Sequence, residues 1–376
     1  MKRLTVALLF IPMISLAYGQ FPEFRYIPIG NTTDRTSQTS LVDVDKDGDL
    51  DWVVGSADTV WWFETQPGDH WVKHVLGVAP ITESAGMMID VNGDGLPDQV
   101  SGSTWFRNEG PGKPFTRLLN GAKTASDMAV ADINGDGKPD VVYMNDKDGI
   151  IWYDFSKNSA KKWKGTKIGP GVRSGIGPMG LADLDGDGDI DVVRSNCWFE
   201  NVDNGKKWIE HPSLKLANPG EKFPNCSMVW VVDLNKDGKP EIIQAESYYP
   251  NCKLVWLQKQ DTRGLTWFLN KIDLDTKQEI HSLIVADFDN DGDLDVFVGG
   301  SGSPADYHVR SFIYENVDGN GLQWKKHEIL TDKECYGAQV GDIDGDGDLD
   351  ICAKPWNGTE NYLLKNMLME SKKGGK

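Results

Sequence analysis

The sequence predicts an all-β fold, a seven-bladed β-propeller with four-stranded blades, and three observations support it. A nine-residue acidic motif, Asp-x-Asp/Asn-x-Asp-Gly-x-x-Asp/Glu, occurs seven times. Its copies begin 42 to 55 residues apart, a spacing that suits one four-stranded blade per copy. Short apolar and aromatic runs flank every copy in the same order. The copies begin at Asp43, Asp90, Asp132, Asp183, Asp233, Asp287 and Asp342.

Each motif is predicted to be the turn between the first two strands of a blade, strands A and B. An apolar run such as Ser282-Leu283-Ile284-Val285-Ala286 enters the motif, and a β-branched run such as Ile242-Ile243 leaves it. Strand C is mostly aromatic, as in Ile151-Trp152-Tyr153, and strand D begins with Trp or Phe in the first six copies. Most tryptophans are therefore expected in the core.

The two ends of the chain complete this organisation. The last copy has no strand D, because only a Lys/Gly-rich tail, residues 367–376, follows Asn366. The run from Phe24 to Gly30 resembles the D strands and precedes the first strand A. We expect this N-terminal strand to complete the seventh blade, so that the closed ring leaves few open strand edges.

The first 19 residues match a secretory signal peptide. Met1-Lys2-Arg3 precedes an apolar run from Leu4 to Ala17, and small residues surround the expected cleavage point before Gln20. No later apolar run approaches the length of a membrane span. We therefore expect one propeller domain, residues 20–366, in a secreted or periplasmic protein.

Charge and cysteine content narrow the function. The net charge is −18, but the seven motifs contain 29 of the 57 acidic residues, and the remainder is mildly basic, so an anionic ligand is not excluded. Five cysteines are too few for a disulfide framework, and a Cys226 to Cys252 bridge is only a hypothesis. No basic-aromatic stripe for nucleic acid occurs, and Gly175 to Gly180 fits GxGxxG but leads into a strand.

The motifs are suited to calcium. Calcium takes six to eight oxygen ligands, and carboxylates at alternate positions can wrap one ion while a glycine makes the turn. Position seven varies freely, which suits a ligand supplied by its backbone carbonyl. One rival interpretation is an EF-hand, but its loop has twelve residues and lies between helices. A second is a set of acidic turns without a cation, in which the carboxylates would repel one another. The sequence predicts up to seven structural calcium ions, with side-chain ligands at Asp43, Asp45, Asp47, Asp51, Asp90, Asn92, Asp94, Asp98, Asp132, Asn134, Asp136, Asp140, Asp183, Asp185, Asp187, Asp191, Asp233, Asn235, Asp237, Glu241, Asp287, Asp289, Asp291, Asp295, Asp342, Asp344, Asp346 and Asp350.

These motifs and their flanks resemble the FG-GAP/VCBS repeat family, with integrin-type calcium loops, over nearly all of the chain after residue 19. The resemblance implies a propeller whose metal loops join strands A and B on a lower face, while ligands bind on the upper face. The calcium would then be structural. The chain is more distantly similar to the propeller part of aldos-2-ulose dehydratase and to propeller-fold polysaccharide lyases.

Residues that break the repeat are the candidates for an upper site. His281 begins strand A of blade six and is the candidate base, Tyr248 or Tyr336 the acid, and Arg194 or Lys354 the cation that meets an anionic group. Substrate-binding candidates occupy strand ends and loops on the same face: Trp356, Tyr249, Glu246, His308, Arg310, Glu334 and Glu83. His308 with Glu246 could instead hold an additional divalent metal.

Three functions are compatible with this set. The first is a protein that binds an anionic carbohydrate at the upper face; if it is an enzyme, it cleaves this carbohydrate by β-elimination or dehydrates it, as a carbon-oxygen lyase. The second is a non-catalytic glycan-binding or adhesion module. The third is a purely structural interaction protein, which would have no pocket. The unique residues cluster over blades four to seven, which favours one central site.

Overall fold

The structure is a computed structural model, and it describes residues 21–79, 85–155, 159, 161–212, 214–222, 228–248, 251–301 and 308–374. The signal peptide expected at residues 1–19 lies outside these ranges, as do Glu83, Cys226 and Tyr249.

Almost every regular element is a strand. In chain order the elements are β1 (Phe24–Asn31), β2 (Thr36–Val42), β3 (Asp51–Ser56), β4 (Thr59–Gln66), β5 (His70–Val78), β6 (Gly86–Ile89), β7 (Asp98–Ser101), β8 (Thr104–Arg107), β9 (Thr116–Leu119), β10 (Asp127–Ala131), β11 (Asp140–Asn145), β12 (Gly149–Asp154), β13 (Lys164–Gly169), β14 (Pro178–Met179), β15 (Leu181–Ala182), β16 (Asp191–Arg194), β17 (Cys197–Asn201), β18 (Trp208–His211), β19 (Lys215–Leu216), β20 (Met228–Val232), β21 (Glu241–Ala245), β22 (Leu254–Lys259), β23 (Thr266–Asp273), β24 (Ile280–Ala286), β25 (Asp295–Gly300), β26 (Arg310–Asn316), β27 (Trp324–Thr331), β28 (Tyr336–Gly341), β29 (Asp350–Lys354), β30 (Glu360–Asn366) and α1 (Leu368–Gly374).

Six sheets are four-stranded antiparallel blades. Five follow the chain: β2-β3-β4-β5, β6-β7-β8-β9, β10-β11-β12-β13, β15-β16-β17-β18 and β24-β25-β26-β27. The sixth, the ring-closing sheet, has the order β1-β30-β29-β28, so its outer strand comes from the N-terminal part of the chain. Tyr26 lies opposite Leu364 in this antiparallel pair, the position predicted for the N-terminal strand.

The expectation of seven four-stranded blades is wrong, because the remaining sheet has six strands in the order β14-β20-β21-β22-β23-β19. The short strands β14 and β19 pair in parallel with β20 and β23, one at each edge. β14 forms because the chain that enters the fourth acidic loop is broken into two short strands, β14 and β15. Asp127 accepts hydrogen bonds from three backbone N–H groups at Gly175, Ile176 and Gly177, which diverts the chain onto the neighbouring sheet.

The core lies between neighbouring sheets. Trp105, Trp198 and Trp256 on the third strands are almost completely buried, as their sequence position predicts. The indole N–H of Trp256 donates to the Gly321 carbonyl of the next sheet at 2.8 Å, so its polar atom is satisfied while its rings pack. This packing holds the first strands of the sheets around a central channel.

Candidate functional site

The seven acidic loops, numbered one to seven in chain order, are turns that their own carboxylates hold in shape. In loop three, Asp132 Oδ1 accepts the Asp136 N–H at 3.0 Å, and Asp132 Oδ2 accepts the Gly137 N–H at 2.7 Å. The glycine at position six has φ between 82° and 105° in every loop. Side chains rarely adopt this left-handed conformation, which explains why glycine occupies that position.

The ninth position acts as a clamp. In all seven loops its carboxylate accepts the backbone N–H of position two at 2.8 to 3.2 Å, as Asp191 does from Leu184. Burial raises the pKa of this carboxyl, to about 7 in five loops and to about 8 at Asp191 and Asp295. These groups therefore hold their negative charge at a cost unless a cation lies nearby.

Carboxylate oxygens converge in four of the loops. In loops one, four, six and seven, each with Asp at position three, carboxylate oxygens from three positions come within 4.8 Å of one another. In loop one, the Oδ1 atoms of Asp43 and Asp45 are buried and make no hydrogen bond within the described part of the chain. Orphaned, converging carboxylate oxygens are the donor set that calcium prefers.

A cavity opens on the upper face, the end of the sheets opposite the acidic loops. Its volume is about 120 Å³, smaller than the pockets that enclose a whole drug-sized ligand. Strand starts from several sheets line it, which places it at the top of the central channel. Its polar lining includes Gln38, Thr39, Ser126, Ser174 and Gln339.

Four aromatic side chains form a continuous row, and three of them, Tyr248, His281 and Tyr336, line the cavity. The His281 ring lies 5.1 Å from Tyr248, edge-on, and 5.2 Å from Tyr336, stacked. Trp356 extends the row, with its ring 5.0 Å from Tyr336. The His281 side chain is only 10% exposed and its Nε2 lies 3.4 Å from Glu279 Oε2, whereas Tyr248 is 40% exposed. The sequence predicted all four residues for this face.

Asp127 and the segment that follows β13 also line the cavity. Asp127 Oδ2 accepts three backbone N–H groups at 2.9 to 3.0 Å, and its Oδ1 accepts the Met128 N–H at 3.0 Å. Burial raises the pKa of this carboxyl, although the four hydrogen bonds favour its charged form. The segment carries Arg173, whose guanidinium lies 5.6 Å from the Tyr248 ring.

The two predicted cations make their contacts away from the cavity lining. Lys354 is fully buried, and its ammonium donates to Thr36 Oγ1, the Pro355 carbonyl and the Gly358 carbonyl at 2.7 to 3.1 Å. Burial lowers its pKa to about 8. Arg194 donates to the Pro170 carbonyl and lies over the Phe199 ring.

The other predicted substrate-binding residues in the described ranges are not part of the cavity lining. Glu334 accepts the Asn357 N–H at 2.8 Å, which holds the loop that carries Trp356. His308 and Asp332 are 2.6 Å apart and largely exposed, and Arg310 Nε lies 3.6 Å from Glu328. Glu246 is buried and accepts the Lys253 N–H at 3.0 Å. His308 and Glu246 thus each have another partner, which gives no support to a shared metal.

Sequence reasoning missed Arg173 and the two glutamines, Gln38 and Gln339. The sequence signal that could have pointed to this part of the cavity lining is the segment Gly175 to Gly177. It leads into a strand and so cannot form a phosphate-binding loop, but its successive backbone N–H groups can still bind an anion. Here that anion is the Asp127 carboxylate.

The fold and the repeated acidic loops define a β-propeller. The sequence profile of the FG-GAP-like repeat matches residues 90–143, 132–193, 233–298 and 287–353, more than half of the chain. The chain therefore belongs to the FG-GAP-like repeat family. No helix in the described ranges is both long and apolar enough to cross a membrane.

Solved structures share the fold at low sequence identity. An Agrocybe aegerita lectin, described by its specific recognition of non-reducing terminal N-acetylglucosamine, has a TM-score of 0.56 and 14% identity over 83% of this chain and 91% of its own. BBS1N, solved in complex with ARL6DN, has a TM-score of 0.54 and 12% identity over 92% of this chain and 96% of its own. Among curated protein sequences, none matches the chain at a significant level.

Proposed function

We propose that this protein binds carbohydrate in the upper cavity. The observation that carries the proposal is the aromatic row of Tyr248, His281, Tyr336 and Trp356 beside a lining of hydroxyl and amide groups. Aromatic faces pack on the apolar face of a sugar ring, and the polar groups bind its hydroxyls. The Agrocybe aegerita lectin adds support for sugar binding on a propeller of this kind.

An anionic sugar is the substrate class we favour. Arg173 is the cationic side chain that lines the cavity in the described part of the chain, and it lies beside Tyr248. The Asp127 carboxylate shares the cavity, but four backbone N–H groups surround it. A guanidinium can bind a carboxylate or sulfate through two parallel hydrogen bonds, which would discriminate against neutral sugars.

Binding to immobilised glycans tests the proposal. Trp356→Ala and Tyr336→Ala should each weaken binding at least tenfold, whereas Phe268→Ala, which removes a 40% exposed aromatic side chain from outer strand β23, should leave it unchanged. Arg173→Met should lose the preference for uronate-containing over neutral oligosaccharides. Equal binding by wild type, Trp356→Ala and Tyr336→Ala would refute a sugar site in this cavity.

Elimination is a second candidate, favoured by the position of His281 between two tyrosines. In this reaction His281 takes the proton beside the sugar carboxylate, the carbon-oxygen bond β to that carboxylate breaks as a double bond forms, and a tyrosine gives a proton to the leaving oxygen. Purified protein with uronate-containing polysaccharide should then produce absorbance from unsaturated ends. His281→Ala should abolish this absorbance; no signal from the wild type leaves a glycan-binding module.

We also propose that the acidic loops bind structural calcium. A second proposal is that the protein acts outside the cytoplasm, after cleavage of residues 1–19. The converging, orphaned carboxylate oxygens of loop one support the calcium proposal. The ion would supply charge neutralisation, with side-chain oxygens of positions one, three, five and nine as ligands. Calorimetric titration of chelator-treated protein with calcium tests calcium binding. N-terminal sequencing of the exported protein tests the cleavage.

A further inference from the structure

The acidic loops differ in one neighbouring side chain on the third strand of each sheet. This residue lies opposite position nine of the motif. Trp52 pairs with Phe63 and Ile351 with Leu364, so the adjacent residues Asp51 and Glu64, and Asp350 and Lys365, also face each other. Three loops have a glutamate there, and loop seven has a lysine. The residues in loop order are Glu64, Arg107, Asp154, Glu200, Gln258, Glu315 and Lys365.

The three glutamates add negative charge beside their loops and are held by histidines. His74, His211 and His327 lie 2.6 to 2.7 Å from Glu64, Glu200 and Glu315. In loop one, Glu64 comes within 4.8 Å of Asp45 and Asp47 through one oxygen of each. Loop one therefore carries an extra carboxylate next to the predicted ion.

Loop seven has the opposite arrangement. The Lys365 side chain is only 10% exposed, and its ammonium contacts Asp344, the position-three acid. It also lies 3.3 Å from Glu370 in α1 and 3.6 Å from Asp69 in the turn between β4 and β5. Arg107, the other cation at this register, instead bonds Glu109, outside its acidic motif.

We propose that the Lys365 ammonium is a built-in cation of loop seven, which weakens calcium binding there and holds the ring-closing sheet together when calcium is absent. A lysine on a position-three ligand repels a divalent ion and partly replaces its charge. The lysine also joins three separate parts of the chain, loop seven, α1 and the β4–β5 turn, at the sheet where the ring closes. The inference rests on the calcium proposal.

Calcium stoichiometry of the full-length protein tests the first part. At a free calcium concentration that leaves loop seven empty in the wild type, Lys365→Met should bind one more ion, with at least tenfold tighter affinity at that site. Lys333→Met is the matched control: Lys333 pairs with Glu360 in the same sheet and should not alter calcium binding. Glu200→Lys places a lysine beside loop four, and this variant should bind one calcium ion fewer. It tests the same effect if Lys365→Met misfolds.

Hydrogen exchange in chelator tests the second part. Amides of β1 should stay protected in the wild type without calcium, and Lys365→Met should lose that protection until calcium is restored. Unchanged stoichiometry and unchanged β1 protection in Lys365→Met would overturn the inference while leaving the calcium proposal intact. A wild type that binds no calcium would instead overturn both.

Discussion

Lys354→Met should change how stability depends on pH, because the wild-type protein buries an ammonium group. Burial lowers the pKa of Lys354 from 10.5 to about 8. The folded protein then binds fewer protons than the unfolded chain between pH 8 and 10.5, so wild-type stability rises with pH in that window. A variant without the amine lacks this contribution.

The magnitude follows from the size of the shift. The fall from 10.5 to about 8 at 1.36 kcal/mol per pKa unit amounts to about 3 kcal/mol. Roughly 2 kcal/mol of it should appear between pH 7 and pH 9.5, since the unfolded amine is still mostly protonated at the upper value. Loss of the bonds to Thr36 Oγ1 and to the Pro355 and Gly358 carbonyls shifts the variant equally at both pH values.

Urea unfolding followed by tryptophan fluorescence at both pH values gives the measurement. The free energy of unfolding of the wild type minus that of Lys354→Met should increase by about 2 kcal/mol from pH 7 to pH 9.5. Lys206→Met, which removes a lysine with a 71% exposed side chain, serves as the control. A difference that stays constant within about 0.5 kcal/mol would refute the burial argument.

Three further changes test the cavity wall and the loops. Asp127→Ala leaves four backbone N–H donors without their acceptor and should lower the free energy of unfolding by about 2 to 4 kcal/mol, with Asp127→Asn losing about half as much, by urea titration. Asp191→Ala removes an acceptor from the Leu184 and Asn201 N–H groups, both at 2.8 Å, and should cost about 2 to 3 kcal/mol in chelator, where any bound calcium is absent. Glu334→Ala releases Asn357 and should weaken glycan binding several-fold through Trp356, with little change in melting temperature; unaltered binding would separate Trp356 from the site.

The repeat made much of the fold predictable. Position six is glycine because its φ is positive, and position nine is acidic because a carboxylate must accept the position-two N–H. Both requirements are local, so they appear in the sequence at fixed spacing. The six-stranded sheet was not predictable in this way, because both extra strands make non-local pairs: β14 follows the contact of Asp127 with Gly175 to Gly177, about 50 residues apart, and β19 pairs with β23.

The site was predictable where a residue is unique and remains near its strand start. His281 and Tyr336 satisfy both conditions and line the cavity. Lys354 and Arg194 are also unique, but a lysine or arginine side chain is long enough to reach several partners, and local carbonyl groups bind these two. Sequence position fixes a backbone location, and it does not fix where a long side chain ends.

The acidic loops and the cavity lie at opposite ends of the strands of this propeller. Repeated residues occupy the end that carries the acidic loops, where each carboxylate clamps its own turn. The cavity uses residues from breaks in the repeat: the segment diverted by Asp127, and Tyr248, which has a φ of 67° just after β21. Substitutions at these breaks leave the clamps and the core tryptophans in place. If the cavity binds carbohydrate as proposed, specificity can change through Arg173 or Tyr248 without loss of the fold, whereas a change at position nine of any acidic loop acts on stability first.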